Sequence, residues 1–467
     1  MPQISPGDTA WVMISAALVL FMTPGLALFY GGMVRAKSVL NMMMMSFLAM
    51  GLVTIIWVLF GFSLAFGDDV GAGLIGDLGF LGLGGTLDQT VGAEGSGIPL
   101  LAFAMFQLTF AIITAALLSG AVADRVRIRA WVVFIAAWSI VVYLPLAHWA
   151  FFFHDGAGGW IGDRLGALDF AGGTAVEINS GFSSLALAIV VGRRIGWRRD
   201  PMRPHNLPLV LLGAGILWFG WFGFNAGSAL AANGLAATAL INTQISTACA
   251  ALTWVVVERL RDGKATTLGV ASGAVAGAVA ITPACGFVTP VGALVIGLAA
   301  GAICSLAIGL KYRFGFDDSL DVLGVHGVGG IVGMIAIGLF ATVAANGAGA
   351  DGLFYGGGFG LLGRQLVATV ATMAFAFAAT WLLAKIVDRT VGFRIAPDDE
   401  VSGVDLSEHA ESAYDIVGSG GATGGSFAGV GHGLQGLHGM HGLGSGHGAV
   451  ADESGEGDTD PPGAGSH

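Results

Sequence analysis

The predicted fold depends on two stretches of sequence: Asp169-Phe-Ala-Gly-Gly-Thr-Ala-Val-Glu177-Ile-Asn179 and Asp318-Ser-Leu-Asp321-Val-Leu-Gly-Val-His326-Gly-Val-Gly-Gly330. In each stretch an aspartate precedes a second ionisable residue by eight positions, and an apolar run follows. An ionisable side chain in the middle of a membrane-spanning segment costs about 2.5–3.5 kcal/mol on insertion scales, so it needs a partner or a function. Glu177 and His326 are therefore the first candidates for a functional site.

The composition around these stretches is that of a membrane protein. Of 467 residues, 55% are hydrophobic and 11% are charged, and the mean hydropathy is +0.78. About a quarter of the residues in an ordinary soluble domain are charged, so a single soluble core is excluded. Nucleic-acid binding is not expected either. The 78 glycines suit closely packed transmembrane helices.

Eleven apolar runs are long enough to cross a bilayer as helices. They lie at about 10–33, 40–66, 98–122, 130–153, 174–192, 207–226, 237–257, 267–283, 290–310, 325–343 and 363–387. The sequence therefore predicts an all-α polytopic membrane protein whose two ends lie on opposite sides of the bilayer.

The basic residues predict the orientation of these eleven spans. Eighteen of the 20 Lys and Arg fall in alternate connections, between Arg35 and Arg394, whereas the other connections contain only Arg164 and Arg364. Basic residues concentrate on the cytoplasmic side of membrane proteins. We therefore expect the N-terminus outside and the C-terminus in the cytoplasm.

The matched spacing predicts an inverted repeat of five plus five helices, followed by a final helix. Asp169 lies at the outer end of the fifth span and Asp318 at the inner end of the tenth, and such repeats bring functional residues to their interface. Glu177 and His326 would then share a proton in an apolar setting. Two structural alternatives stay open: Glu177 and His326 are unrelated polar groups, and Asp169 is only an N-cap.

The charge distribution divides the chain into three parts. Residues 1–394 contain all 20 basic residues but only 19 of the 31 acidic ones, so residues 395–467 are strongly acidic. We predict a transmembrane domain at 1–394 and a cytoplasmic segment at 395–417. Residues 418–467 are rich in Gly and His and then acidic, which predicts a disordered tail, with weak metal binding as the second reading.

No sequence feature predicts an enzyme or a cofactor. Cys249, Cys285 and Cys304 lie singly in or beside apolar stretches, which favours packing over metal or disulfide roles. Two GxGxxG matches lack a βαβ context and are expected by chance at this glycine content. We expect no catalytic residues, no cofactor and no metal site.

Six motifs make the chain resemble an ammonium transporter of the Amt/Mep/Rh superfamily, of the prokaryotic Amt type. They are Thr23–Met33, Asp169–Thr174, Gly220–Ser228, Thr282–Gly286, Asp321–Gly330 and Gly403–Tyr414, within a resemblance from about residue 9 to residue 417. The resemblance implies eleven helices, an external N-terminus and a homotrimer with one pore per subunit. The few lysines and the acidic tail suggest a salt-loving source, such as a haloarchaeon.

The resemblance also assigns pore positions. Phe110 and Phe224 match the stacked gate, and Phe106 and Ser228 match the site that recruits external ammonium. By residue type alone, Phe106 and Phe110 at helical spacing would favour core packing. Aromatic faces can hold a desolvating cation, and a hydroxyl can accept its hydrogen bond.

Two positions depart from the family pattern. Glu177 stands where most members have the first of two pore histidines, although some fungal members also have an acid there. Phe151 stands where the family has an outer tryptophan, and about six extra residues follow before Asp169. Phe is a weaker cation–π partner than Trp, so we expect weaker recruitment or substitution by Trp149 or Trp160.

The resulting expectation is a cell-membrane transporter that recruits ammonium, deprotonates it below the gate and conducts ammonia. Transport would move net charge across the membrane if Glu177 and His326 pass the proton. The alternatives are an ammonium sensor that signals through its tail and a gas channel for carbon dioxide. Expected partners are ammonium or ammonia, the lipid bilayer, two further copies of the chain and a PII-family signalling protein on the cytoplasmic face.

Overall fold

The computed structural model describes residues 4–93 and 96–414 and is almost entirely helical. Its long helices are α1 (Pro6–Met33), α2 (Ala36–Phe66), α3 (Leu100–Val122), α4 (Ile128–Phe151), α5 (Gly173–Val191), α6 (Leu207–Gly227), α7 (Gly234–Asp262), α8 (Thr267–Ile281), α9 (Pro290–Phe314), α10 (Leu323–Phe340) and α11 (Gly360–Thr390). Two short helices follow, α12 (Pro397–Ser402) and α13 (Val404–His409). Strands β1 (Thr90–Ala93) and β2 (Ser96–Pro99) pair antiparallel as a small addition to the predicted all-α fold.

Ten of these helices are long and apolar enough to cross a bilayer, one fewer than the sequence predicts. The exception is α8, which has 15 residues and a length of about 22 Å at 1.5 Å per residue. The hydrocarbon core of a bilayer is about 30 Å thick. The end of the predicted span at 267–283 leaves the helix before Pro283, because proline lacks the N–H group that the next helical hydrogen bond needs.

Helices α5 and α10 both begin with a π-helical segment, Gly173–Ile178 in α5 and Leu323–Gly327 in α10. These segments contain Glu177 and His326. Single π-helical turns inside α-helices are frequently found at functional sites. The starts of α5 and α10 therefore share a π-helical backbone as well as the eight-residue spacing, although π-helical segments also occur at Trp57–Gly61, Ser139–Tyr143 and Trp160–Arg164.

Helices α5 and α10 approach each other closely where two glycines meet. A Cβ atom added to Gly181 would overlap the Cα atom of Gly327. Real Cβ atoms essentially never come this close to backbone, so only glycine fits at this crossing. The contact brings the first turns of α5 and α10 side by side in the centre of the bundle.

One end of the bundle, called the tail face, consists of the α1–α2, α3–α4, α5–α6 and α9–α10 connections together with residues 391–414. The fully buried guanidinium group of Arg125 fixes three of these connections by donating hydrogen bonds to Gly192, Ser319 and Asp317. Burial lowers the pKa of Arg125 to about 10, which leaves it charged at neutral pH. Arg194 pairs with Asp317 at 2.9 Å beside it.

The described residues after Arg394 dock on the tail face through their carboxylates. Glu400 accepts from the Ile195 N–H, Asp405 from the Leu40 and Asn41 N–H groups, and Glu408 from the Ile128 N–H. The sequence predicts docking by attraction to Arg193–Arg203, but the contacts are spread over three connections and are mostly to backbone. Leu40, Asn41 and Ile128 lie in the first turns of α2 and α4, where unpaired N–H groups favour anions.

Candidate functional site

Two cavities, called outer and inner after the predicted orientation, meet at one pair of aromatic rings. The outer cavity has a volume of about 130 Å³ and is lined by Gln107, Phe110, Phe151, Phe153, Asp169 and Ser228, among others. The inner cavity has a volume of about 10 Å³, and its lining includes Met22, Leu26, Glu177, Trp221, Phe224 and His326. A space of about 10–15 Å³ holds a single water molecule, so the inner cavity is narrow enough for one small molecule at a time.

Two phenylalanine rings separate the cavities. Phe110 lines the outer cavity and Phe224 the inner one, and their rings stack with centroids 4.1 Å apart and an interplanar angle of 27°. Phe106 meets Phe110 edge-on at 4.9 Å, is fully buried and does not line the outer cavity. The two predicted gate residues are therefore in contact. Phe106 packs against the Phe110 ring and lines neither the outer nor the inner cavity.

Glu177 and His326 meet in the wall of the inner cavity, although 149 positions separate them in the sequence. Glu177 Oε2 lies 2.7 Å from His326 Nδ1, and the residues are 1% and 4% exposed. A carboxylate at this distance holds the imidazole in one orientation and can exchange a proton with it. Because Nδ1 faces Glu177, the Nε2 atom is the one left for other partners.

An aspartate stands at the start of each helix that supplies this pair. The Asp169 carboxylate accepts hydrogen bonds from the Gly172, Gly173 and Thr174 N–H groups at 2.7–2.8 Å, and from the Thr174 hydroxyl. Asp318 Oδ2 accepts from the Leu323 N–H at 2.8 Å. These bonds satisfy N–H groups that a helix start leaves without partners. Asp169 thus has the geometry of a cap and also lines the outer cavity.

The outer cavity contains polar atoms that suit a small cation. The Ser228 hydroxyl donates to the Phe224 carbonyl at 2.8 Å, which leaves its oxygen lone pairs free to accept. Gln107 Oε1 is buried and has no hydrogen-bond partner in the described part of the chain. Sequence reasoning missed Gln107, although its place between Phe106 and Phe110 in the family motif was a usable signal.

The structure identifies the aromatic residues of the outer mouth. Phe151 and Phe153 line the outer cavity, but neither Trp149 nor Trp160 does. Trp149 donates its indole N–H to the Leu74 carbonyl at 2.8 Å and packs edge-on against Trp160. The geometry gives no support to substitution by Trp149 or Trp160, because the Trp149 ring packs on Phe375 of α11 as well as on Trp160, and which residue replaces the outer tryptophan stays a prediction.

A charged cluster fixes the loops around the outer mouth. Asp69 pairs with Arg164 at 2.7 Å and with His148 Nε2 at 3.3 Å, and it accepts from the Gly71 and Gly73 N–H groups. Burial opposes ionisation of Asp69, but the hydrogen bonds from Gly73, Gly71 and His148 outweigh it and lower its pKa. This cluster ties the segment after α2 to the loop that follows Phe151.

The described residues contain no group of three or more His, Cys, Asp or Glu side chains that could hold a metal ion. The polar groups at the site are one acid–imidazole pair, a hydroxyl, an amide and the Asp169 cap. This arrangement can bind a small hydrogen-bond donor and move a proton. It offers no nucleophile activated by a base.

Comparison with known proteins identifies relatives along nearly the whole described chain. The model of the Ammonium Transporter Family matches residues 10–414. An "Ammonium transporter" of Mycobacterium tuberculosis H37Rv is 54% identical over 432 residues, covering 88% of this chain and 91% of the relative. One of Bacillus subtilis is 49% identical over 409 residues, covering 87% of this chain and 98% of the relative.

Solved structures agree with the fold. Mep2 of Saccharomyces cerevisiae superposes with a TM-score of 0.78 at 35% identity and covers 85% of this chain and 89% of its own. A structure titled "Sensor Amt Protein" has a TM-score of 0.78 at 27% identity, with coverages of 86% and 98%. The curated relatives are named as transporters and not as enzymes. The family model and the identities confirm the resemblance, and the chain belongs to the Ammonium Transporter Family.

Proposed function

We propose that this ammonium transporter recruits the cation in the outer cavity and strips its water at the Phe110/Phe224 stack. Ser228 and Gln107 provide acceptor oxygens there, and the aromatic rings attract the cation by about 0.5–2 kcal/mol. Asp169 contributes mainly as the cap that keeps the first turn of α5 in place. The single observation that supports this route best is the pair of cavities separated by the stacked rings.

We further propose that ammonium loses a proton at the gate and that ammonia crosses the inner cavity. Moving an unpaired ion from water into an apolar interior costs far more free energy than moving a neutral molecule of the same size. The inner cavity has room for one small molecule. The Glu177–His326 pair then takes the proton and passes it toward the tail face, so that transport moves net positive charge.

The arrangement in the membrane is part of the same proposal. The loop charges support eleven crossings, an external N-terminus and a tail face in the cytoplasm, with 1–394 as the transmembrane domain and 395–417 as a regulatory segment. Residues 415–467, including the predicted disordered tail, lie outside the described residues. A homotrimer, the cell membrane and a PII-family partner follow from the family resemblance alone.

A sensor is the second candidate function, because one solved relative is titled "Sensor Amt Protein". That word describes the relative, and this chain has the narrow inner cavity and the buried pair that a conducting pore needs. An ammonium-evoked current from the purified chain in liposomes separates the two readings. A sensor with little flux gives no current above that of empty liposomes.

The outer mouth allows a test of cation recruitment. Phe151→Trp should lower the ammonium concentration for half-maximal current by up to about fivefold, because indole is the stronger cation–π partner and a whole contact at an exposed site contributes about 0.5–1 kcal/mol. Phe152→Trp is the matched control, since Phe152 stacks on His148 and does not line the outer cavity. An equal shift in both variants, or no shift in Phe151→Trp, contradicts a recruiting role for position 151.

The C-terminal contacts allow a second test. A chain that ends after Ala396 loses the carboxylates of Glu400, Asp405 and Glu408, each lost cap costing about 1 kcal/mol. We expect impaired uptake and a lower unfolding temperature. A chain that ends after Val417 keeps these contacts and should transport nearly normally. Loss of uptake on truncation after Val417, with activity kept in the shorter chain, would assign the function to the His-rich tail instead.

A further inference from the structure

Two more cavities lie on the tail face, apart from the pore. The side cavity has a volume of about 630 Å³ and lies between the ends of α5 and α9, where Leu185, Ala188, Ile189 and Phe314 line it. The loop cavity has a volume of about 430 Å³ and is lined by Trp197, Arg198, Arg199 and Tyr312. Neither cavity shares a lining residue with the outer or inner cavity of the pore.

A stack of side chains connects the two cavities. Arg193 lines the side cavity, and its guanidinium carbon lies 5.0 Å from the centroid of the Trp197 ring, which lines the loop cavity. The Trp197 ring in turn stacks on Tyr312 with centroids 6.0 Å apart and an interplanar angle of 11°. The side and loop cavities thus adjoin one continuous stack of Arg193, Trp197 and Tyr312.

The loop cavity has unpaired positive charge. Arg194 and Lys311 also line it, but Arg194 is paired with Asp317 and Lys311 with Asp321. Within residues 4–93 and 96–414, by contrast, Arg193, Arg198 and Arg199 form no ion pair.

One acidic side chain opposes this charge. Asp200 lines the loop cavity beside Arg198 and Arg199, and like them it is exposed. With Arg194 and Lys311 neutralised by their partners, the unpaired arginines outnumber Asp200. The net charge of the side chains that line the loop cavity is therefore positive.

The side cavity has a different chemistry. Leu185, Ala188 and Ile189 lie in the last two turns of a membrane-spanning helix, so an occupant of this cavity must enter the bilayer. Tyr312 and Phe314 are 52% and 69% exposed at the same level. Exposed aromatic rings beside basic residues are typical of the membrane–water boundary. A soluble anion or a protein surface could pair with the arginines of the loop cavity but would leave the apolar side cavity unfilled.

We propose that the side and loop cavities together bind one anionic phospholipid of the leaflet on the tail face. An acyl chain lies against α5 in the side cavity, and the phosphate lies beside Arg198 and Arg199. Basic pockets between transmembrane helices on the cytoplasmic side bind anionic headgroups. The inference uses the membrane orientation proposed above but not the transport mechanism.

The test measures lipid binding to the purified full-length protein in detergent. Native mass spectrometry with phosphatidylglycerol, phosphatidylcholine and glycerol 3-phosphate gives three affinities. The Arg198→Gln/Arg199→Gln variant removes the proposed phosphate ligands. The Arg259→Gln/Lys264→Gln variant removes the same charge from the last turn of α7 and the α7–α8 connection. Ile189→Trp obstructs the side cavity without changing the charge. Helix content from circular dichroism checks that each variant is folded.

We expect the parent to bind phosphatidylglycerol at least about tenfold more tightly than phosphatidylcholine, and the Arg198/Arg199 variant to lose most of that preference. The control pair should keep the preference, and Ile189→Trp should weaken binding of both lipids. Equal loss in the control pair, or no preference in the parent, overturns the proposal. Glycerol 3-phosphate binding as tightly as phosphatidylglycerol also overturns it and indicates a soluble anion instead.

Discussion

Glu177→Gln is expected to lower the ammonium-evoked current roughly 10²-fold, which is the lower end of the contribution of a positioned acid or base. The amide keeps the shape of Glu177 and can still hydrogen-bond to His326 Nδ1, 2.7 Å from the carboxylate in the parent. It cannot exchange a proton. Current measurements on proteoliposomes over a wide pH range test this expectation, with unfolding temperature as the check on structure.

Glu177→His is the matched comparison for this variant. Histidine is the commoner residue at this position in the family that the chain resembles, and it can exchange a proton. Ammonium-driven transport should therefore persist in Glu177→His. Equal currents from Glu177→Gln and the parent over the whole pH range would show that Glu177 has no part in proton transfer.

Asp169→Ala is expected to abolish transport and to destabilise the protein by about 3–5 kcal/mol, because three backbone N–H groups lose a charged acceptor. These groups belong to the turn of α5 that holds Glu177. Asp169→Asn should have a smaller effect, since the amide oxygen can still accept. Thermal unfolding and ammonium-evoked current of the purified variants measure both effects.

Asp163 offers a control with similar hydrogen bonding that lines neither the outer nor the inner cavity. Its Oδ2 atom accepts from the His154, Gly156 and Gly158 N–H groups at 2.7–3.0 Å in the outer loop. Asp163→Ala should lower the unfolding temperature and leave most of the current. If Asp169→Ala retains parental current and stability, the first turn of α5 does not depend on its cap.

The sequence contained enough information to predict the central pair and its surroundings. The eight-residue spacing and the apolar context singled out Glu177 and His326, and the structure brings them into contact. The family motifs led to Phe110 and Phe224, which stack. Both results depend on residue identity at fixed positions, which a sequence states directly.

Other features depend on backbone geometry that residue types do not specify. Nothing in residues 173–178 or 323–327 distinguishes a π-helical turn from an α-helical one before packing is known. Glu400, Asp405 and Glu408 dock on backbone N–H groups, which every non-proline residue has and which a sequence therefore does not single out. Counting charges predicted docking on the arginines at 193–203 instead. The positions of the Trp149 and Trp160 rings outside the outer cavity likewise depend on packing, because the Trp149 ring contacts Phe375 of α11 and Trp160.

The most direct test of the proposed mechanism measures current and internal pH in the same proteoliposomes after an inward ammonium gradient is applied. If the Glu177–His326 pair passes the proton, positive current flows inward and the protein adds no internal alkalinisation to that of empty liposomes, because ammonia and the proton arrive together as net ammonium. Internal alkalinisation beyond that of empty liposomes, without current, would contradict the proposed mechanism, because it would show that ammonia crosses and the proton stays outside.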